Sequence, residues 1–309
     1  MFINVSEDFA TPDNLVSLAA YQGRLAIFGR RNIQIWVIDA SPQNWALQQV
    51  LANIGTWSSL SPESIGDLDV LFGSDTGIRS LRVRDLTLNA FVNDVGSAID
   101  QLIQTAIAGL TPAQLNQSCG IVEPSANRYW LHIGGNIYVF SYFQSSKISA
   151  WGIYTPTYFL AGVQYSFTPS KFVVFQGQCY LRANSTADSA DHIFVYGGLN
   201  GTTYDLTQPI VELPWLDGGD CTQLKKMQCL DFAITGHWQL FGSMDYIGVV
   251  NNGAQLQSIV TTNQPSFQVG QIGWTDDGYH FKIRAVGQAY AEAQKLSLLA
   301  ITYQGGEEK

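Results

Sequence analysis

Two stretches constrain this chain more than any other: LAIFGRRNIQIWVID (Leu25 to Asp39) and LDVLFGSDTGIRSLRVRD (Leu68 to Asp85). Each reads as a strand, a tight turn and a second strand. In the first, Leu25, Ile27 and Phe28 precede a turn at Gly29 to Asn32, and Ile33, Ile35 and Val37 alternate after it. Alternation at period two marks a half-buried strand, and Gly and Asn are the residues that best tolerate the backbone angles of a tight turn. The second unit runs from Val70 to Val83 and turns at Ser74 to Gly77. Strand–turn–strand units recur along the chain at roughly 40 to 50 residues, the period of propeller blades. An irregular β-sandwich built from hairpins is the competing topology.

The rest of the chain extends this pattern. Residues 39 to 66 are polar, contain Pro42 and Pro62, and read mostly as connection. One helix is expected over Val95 to Ala108, with Val95, Ile99, Leu102, Ile103 and Ala106 on one face, Asp94 or Asn93 as cap and Gly109 at its end. A short second helix, Pro112 to Asn116, follows Thr111, with proline at its first position. Strands are then expected at Gly120 to Val122, Tyr129 to Ile133, Ile137 to Phe143, Trp151 to Tyr154 and Phe172 to Tyr180, the last interrupted by Gly177. Residues 183 to 192 read as a polar loop, and GGLNG (Gly197 to Gly201) as the end of the region. Longer strands follow at Ile210 to Trp215, Lys226 to Thr235, Trp238 to Asp245, Phe281 to Ala289 and Lys295 to Gln304, spaced as in an antiparallel sandwich or barrel. The expectation is therefore an all-β chain. Residues 1–205 form a propeller-like domain with a small helical insertion near 95–117, residues 206–309 form a β-sandwich-like domain, and the tail GGEEK is frayed.

Composition bears on partners. Charged residues make up 13% of the chain against about 25% in an average globular protein. Aromatics reach 12%. Interface centres are enriched in aromatics and depleted in charge, so this balance predicts a surface that faces protein as well as water. The net charge of −9 argues against a DNA-binding surface built on phosphate contacts, and leaves room for a wall past which DNA slides without sticking. Cys119, Cys179, Cys221 and Cys229 lie far apart with no zinc-ligand spacing, and are expected to be buried free thiols. No signal peptide is read at Met1, and no apolar run nears the ~18 residues of a membrane span.

No catalytic, cofactor or metal constellation emerges, and the chain is expected not to be an enzyme. Asp276 with Asp277, and Asp217 with Asp220, stand in turn signatures. His132, His192, His237 and His280 are dispersed. Glu123, Glu212 and Asp231 are the carboxylates a hydrolase would need to bring together, and Trp215, Asp217 and Asp231 form the nearest aromatic–acid set. The basic clusters are Arg30 and Arg31, and Arg79, Arg82 and Arg84. Read as a strand, the second cluster sets Arg82 and Arg84 on one face. Arg30, Arg31, Arg82 and Arg84 are candidate subunit-interface residues, through bidentate bonds to an acidic neighbour, with surface ion pairs as the equal alternative.

Residues 15 to 143 resemble the tail-nozzle or packaged-DNA stabilisation proteins of short-tailed bacteriophages. The resemblance lies in the order of motifs: GRLAIFGRRNIQIWVID, IGTWSSLSPESIGD, DVLFGSDTGIRSL, the helix DVGSAIDQLIQ, TPAQLNQ, and RYWLHIGGNIYVFSYF with SAWGIY after it. IGWTDDGYHFKIRAVGQAY and LSLLAITYQ resemble the closing β-domain of the same family. The resemblance implies a propeller with attached β-domains in a sixfold ring. That ring sits in the virion tail below portal and adaptor proteins, extends the DNA channel and retains packaged DNA, with tail fibres or spikes and a needle or plug attached. It implies assembly in the host cytoplasm and no stable membrane insertion. Family members carry more chain ahead of the first hairpin, so the propeller is expected to be incomplete and closed by another chain, or reduced. A receptor- or polysaccharide-binding tail module is the alternative function, and a polysaccharide hydrolase a further one.

Overall fold

A computed structural model describes residues 13–87, 94–143, 148–160, 163–185, 189–199, 207–245, 254–259, 267–288 and 293–305. Asn93, the expected boundary near residue 205 and the tail beyond Gly305 lie outside them. The chain divides into two compact units, Met1–Tyr196 and Gly197–Lys309.

The first unit opens with a meander of β1 (Leu15–Tyr21), β2 (Arg24–Gly29), β3 (Asn32–Val37) and β4 (Ala46–Ala52), hydrogen-bonded in that order. A three-stranded sheet follows: β5 (Glu63–Ile65), β6 (Asp69–Ser74) and β7 (Gly77–Ser80). Helix α1 (Leu81–Thr87), a 3-10 turn at Ser97–Ile99, α2 (Asp100–Ala108) and α3 (Pro112–Asn116) lead to the third sheet. That sheet is β8 (Cys119–Glu123), β9 (Arg128–Ile133), β10 (Asn136–Phe143) and β11 (Ile148–Tyr154). The fourth is β12 (Thr157–Leu160), β13 (Val163–Phe175), β14 (Gln178–Ser185) and β15 (Asp191–Val195). All strand pairs in these sheets are antiparallel. These are propeller-like hairpin repeats with one helical insertion.

Alternation decides how the sheets stack. In the first sheet Tyr21, Ala26, Phe28, Ile33 and Ile35 face one way, onto Val70 and Phe72 of the second. Leu71 and Ile78 point to the other side of the second sheet, where Tyr129, Leu131 and Ile133 of the third meet them. In RYWLHI the intervening Trp130 points away, with Ile121 and Ile137, onto Phe167, Phe172, Leu181 and Ala183 of the fourth sheet. Each inner sheet thus gives one face to each neighbour, the period-two rule carried through three successive seams.

The FG pair of both hairpins is explained at the first seam. Phe28 and Phe72 pack edge to face with centroids 5.1 Å apart, a geometry worth about 0.5–1.5 kcal/mol beyond the buried area. A Cβ at Gly29 would lie 2.5 Å from Asp13 Oδ2, and one at Gly73 would enter the Trp57 ring. The Asp13 carboxylate accepts from the amides of Arg31 (2.6 Å) and Asn32 (3.0 Å) and fastens the turn. Burial raises its pKa, but these backbone bonds outweigh that and hold it below the usual value.

The insertion departs from expectation. SLRVRD is not strand: β7 ends at Ser80 and α1 begins at Leu81. Ser80 Oγ accepts from the Val83 amide (3.1 Å), an N-cap bond that starts the helix. Leu102 is 42% exposed, off the expected apolar face. The first turn of that segment is 3-10, so the α-helical phase starts at Asp100 and is set by Ile103, Ala106 and Ile107. Thr111 and Gln114 form a capping box on α3 as read. Residues 39–66, read as connection, also contain β4 and β5.

The second unit holds β16 (Ile210–Glu212), β17 (Lys225–Thr235), β18 (Trp238–Met244), β19 (Ala254–Ile259), β20 (Phe267–Gly273), β21 (Asp277–Gly278), β22 (Phe281–Gly287) and β23 (Lys295–Gly305). One sheet runs β16-β22-β18-β19; the other centres on β17, paired with β20, β21 and β23. Met227, Leu230, Phe232 and Ile234 of β17 share a core with Trp238 and Leu240 of β18 and Phe281 and Ile283 of β22. This is an antiparallel sandwich-like unit. Lys225 is buried, and its ammonium donates to the carbonyls of Asp220, Gln223 (2.8 Å) and Tyr279 (3.1 Å), tying the LDGGD loop to the sheet.

The helical insertion is pinned by charge. Arg79 is bidentate to Asp100 (2.6 and 2.8 Å), and Arg84 meets Asp94 at 3.3 Å with both side chains buried. Removing one partner strands the other, which costs about 3–5 kcal/mol. Arg84→Met should therefore lower urea stability by about that amount, whereas Arg82→Met, on the exposed side of α1, should change it by less than about 0.5 kcal/mol.

Candidate interaction surface

The four arginines expected at an interface do not form one surface. In α1 a two-residue step turns about 200°, so Arg82 and Arg84 diverge; the shared strand face is corrected. Arg82 is exposed and Arg84 is committed to Asp94 inside the unit. Arg30 reaches from the first hairpin turn to Asp75 in the second (2.6 Å), an exposed pair of the kind worth about 0–1 kcal/mol. Arg31 is exposed beside it.

The carboxylates tested for hydrolysis are likewise dispersed. Glu123 is buried in the first unit. Burial raises its pKa, but bonds from Ser125 and Arg128 (3.0 Å) outweigh that and hold it below the usual range. Glu212 is held by Lys282 and Arg284 on the second unit's β16 sheet, whereas Asp231 lies on β17 of the other sheet and accepts from Gln271 (2.8 Å). Asp217 accepts from the Gly219 amide (2.9 Å), the turn expected of LDGGD. Among the described residues no group of three His, Cys, Asp or Glu is placed to hold a metal ion. No described helix is long and apolar enough to cross a membrane.

Two titratable groups sit at the third sheet, half-buried Glu63 on β5 beside it and buried His132 on β9 within it. Burial pushes the Glu63 carboxyl on β5 up to about 7, and a Cβ at Gly120 would lie 3.2 Å from its Cγ. Burial pushes His132 down to about 4; its Nε2 accepts from the Gly135 amide (3.1 Å), which leaves the proton on Nδ1. Cys119 and Cys179 are buried in the third seam, where burial pushes both thiols up to about 12. Cys221 is exposed and Cys229 half-buried, so the expectation of four buried thiols holds for two.

The surface that stands out is the outer face of the fourth sheet. Phe172, Cys179 and Leu181 turn inward to the third seam. The opposite side carries Val173 (52% exposed), Phe175 (59%) and Ile193 (74%); Val173 pairs with Tyr180 and Tyr180 with Val195, whereas Ile193 pairs with Arg182. Lys171 and Arg182 share that side, Arg182 standing between Lys171 and Ile193 and paired with Asp191 (2.5 Å). Sequence reading missed this face because Val173 and Phe175 look like core until the neighbouring sheet is known.

No protein-family model matches the chain, and no curated protein matches it. Among solved structures it is similar to an exo-β-1,3-galactanase from Phanerochaete chrysosporium with β-1,3-galactotriose. The TM-score is 0.27 and the identity 8%, over 92% of this chain and 80% of that one. The same enzyme with galactose gives 0.26 and 9% over the same shares. A glycoside hydrolase family 43 arabinoxylan arabinofuranohydrolase from Bacillus subtilis gives 0.23 and 8%, over 96% of each chain. The expectation that the chain is not an enzyme falls with this comparison, since each of these proteins is one. At these TM-scores the likeness assigns no reaction in its place.

Glu63 and His132 contribute to the pH response in opposite directions. The Glu63 carboxyl titrates higher in the folded chain than unfolded. Its favourable contribution is therefore complete below about pH 4.5 and is lost as pH rises through about 7. Glu63→Gln should match the parent chain near pH 4.5 and exceed it by up to about 3 kcal/mol at pH 8 in urea unfolding. His132 works oppositely: its contribution is present above about 6.5 and is lost as pH falls through about 4.

Proposed function

We propose that this chain is an assembling subunit of the tail of a short-tailed bacteriophage, a nozzle or hub that continues the DNA channel below portal and adaptor and retains packaged DNA until ejection. The observation that carries the reading is the apolar outer face of the fourth sheet, which turns Val173, Phe175 and Ile193 to water in a chain with only 13% charged residues. Exposed apolar faces of this kind mark contacts with other protein. The ordered hairpin motifs supply the tail context, and the net charge of −9 suits a wall that phosphate does not grip. Purified chain added to tail-less particles bearing portal and adaptor should co-sediment with them and slow DNA loss. A chain that stays in the supernatant contradicts the proposal.

A second reading, a polysaccharide-recognising tail module, is favoured by one arrangement in the second unit. Lys282 sits over the Trp215 ring (5.8 Å to the centroid), and Glu212 pairs with Lys282 and Arg284. An aromatic ring bordered by charged hydrogen-bonding groups suits a sugar ring. Under this reading the chain binds a glycan array and Trp215→Ala loses at least about tenfold in affinity. Absence of glycan binding contradicts this second reading.

A further inference from the structure

The segment between the first and second sheets runs close past the turn of the first hairpin. Gly55 permits the approach, because a Cβ there would overlap the carbonyls of Gly29 and Arg30. The Thr56 amide donates to the Gly29 carbonyl (3.0 Å). Trp57 follows, buried, with its ring against Gly73 of β6. Ser58 Oγ lies 3.1 Å from the Asn116 carbonyl at the end of α3 and 2.5 Å from that of Ser118. The Ser59 carbonyl accepts from Ser17 Oγ on β1 (2.9 Å). These bonds fix the walls of a cleft of about 400 Å³, lined by Asn14, Val16, Arg30, Trp57, Ser59 and Asn116 among others.

Two of these residues carry a buried N–H with no hydrogen-bond partner among the described residues: Arg30 at Nη1 and Trp57 at Nε1. Arg30 commits Nη2 to Asp75 (2.6 Å) and leaves Nη1 unused. Buried donors are nearly always paired, and an unpaired one costs stability. Two on one cleft point to an acceptor that the cleft receives.

The lining selects the acceptor. Arg30 is the only charged residue among the described ones on it. Asp13, next to Asn14, already accepts from the amides of Arg31 and Asn32. A carboxylate brings a single negative charge and a pair of acceptor oxygens, which suits one guanidinium and one indole N–H, and its bond to the guanidinium is charge-assisted. A phosphate dianion would add charge that a lone arginine, already paired with Asp75, does not balance.

We propose that this cleft binds a carboxylate, held by the N–H groups of Arg30 and Trp57. The carboxylate belongs either to a free small organic acid or to an Asp or Glu side chain of another protein. The site goes beyond the reading of the chain as a tail subunit and does not depend on it.

The test follows the indole N–H resonances of the isotope-labelled full chain, that of Trp57 being the one lost in Trp57→Phe. Sodium propionate should shift it saturably, and propionamide, its neutral isostere, should not. Arg30→Gln should weaken binding at least about tenfold, the loss expected of a hydrogen bond to a charged group. Asp75→Asn breaks the same exposed ion pair but keeps the guanidinium, and should bind at least as tightly as the parent chain. Calorimetric titration of the same ligands reads these contrasts without the Trp57 variant. A capped peptide with one Glu that binds more tightly than propionate assigns the carboxylate to a protein, and the reverse order assigns it to a free acid. No binding of either carboxylate overturns the proposal. So does a shift that propionamide reproduces, or equal loss in Arg30→Gln and Asp75→Asn.

Discussion

Face-to-face packing of twisted antiparallel sheets is the interaction on which the first unit depends. A four-stranded meander has two faces, and both must leave water for the sheet to sit in an interior. The second and third sheets meet that demand inside the chain. RYWLHI shows how economically it is encoded: Tyr129, Leu131 and Ile133 serve one seam, and Trp130 serves the next. The fourth sheet meets it on one side only, and the apolar residues left over at Val173, Phe175 and Ile193 are what the function must account for.

Polar groups in this unit hold the insertion in place. Arg79 clamps Asp100 at the start of α2, and Arg84 is buried against Asp94, which also accepts from the amides of Ser80 and Val95. Burial moves both members of the Arg84–Asp94 pair towards their neutral forms, Arg84 down and Asp94 up. Such a pair contributes little net stability yet is costly to break, which suits a device that fixes where a helix docks. The same logic applies in the second unit, where three backbone carbonyls surround the Lys225 ammonium.

Much of the fold was legible because strand alternation is a local signal. The two FG hairpins, the GGN turn and the strands β17, β18 and β22 follow directly from it; the burial of β18 alternates along its whole length. What was not legible has specific causes. Leu81 and Val83 keep a period of two inside a helix, and the deciding residue was Ser80, whose hydroxyl caps that helix. Gln48 and Gln49 hid an edge strand, and three residues were too few to announce β5. Of the candidate site, Arg30 and Arg31 were correctly placed in a turn, but Arg84 could not be told from a surface residue without Asp94 opposite it. The end face of the fourth sheet could not be read at all, because sequence shows which residues are apolar and not which sheet lacks a neighbour.

The most direct check is a density map of the assembled chain at a resolution that separates strands. The account predicts the strand β13 face bearing Val173 and Phe175 buried against a neighbouring protein subunit. A map in which that face lies in solvent would contradict it.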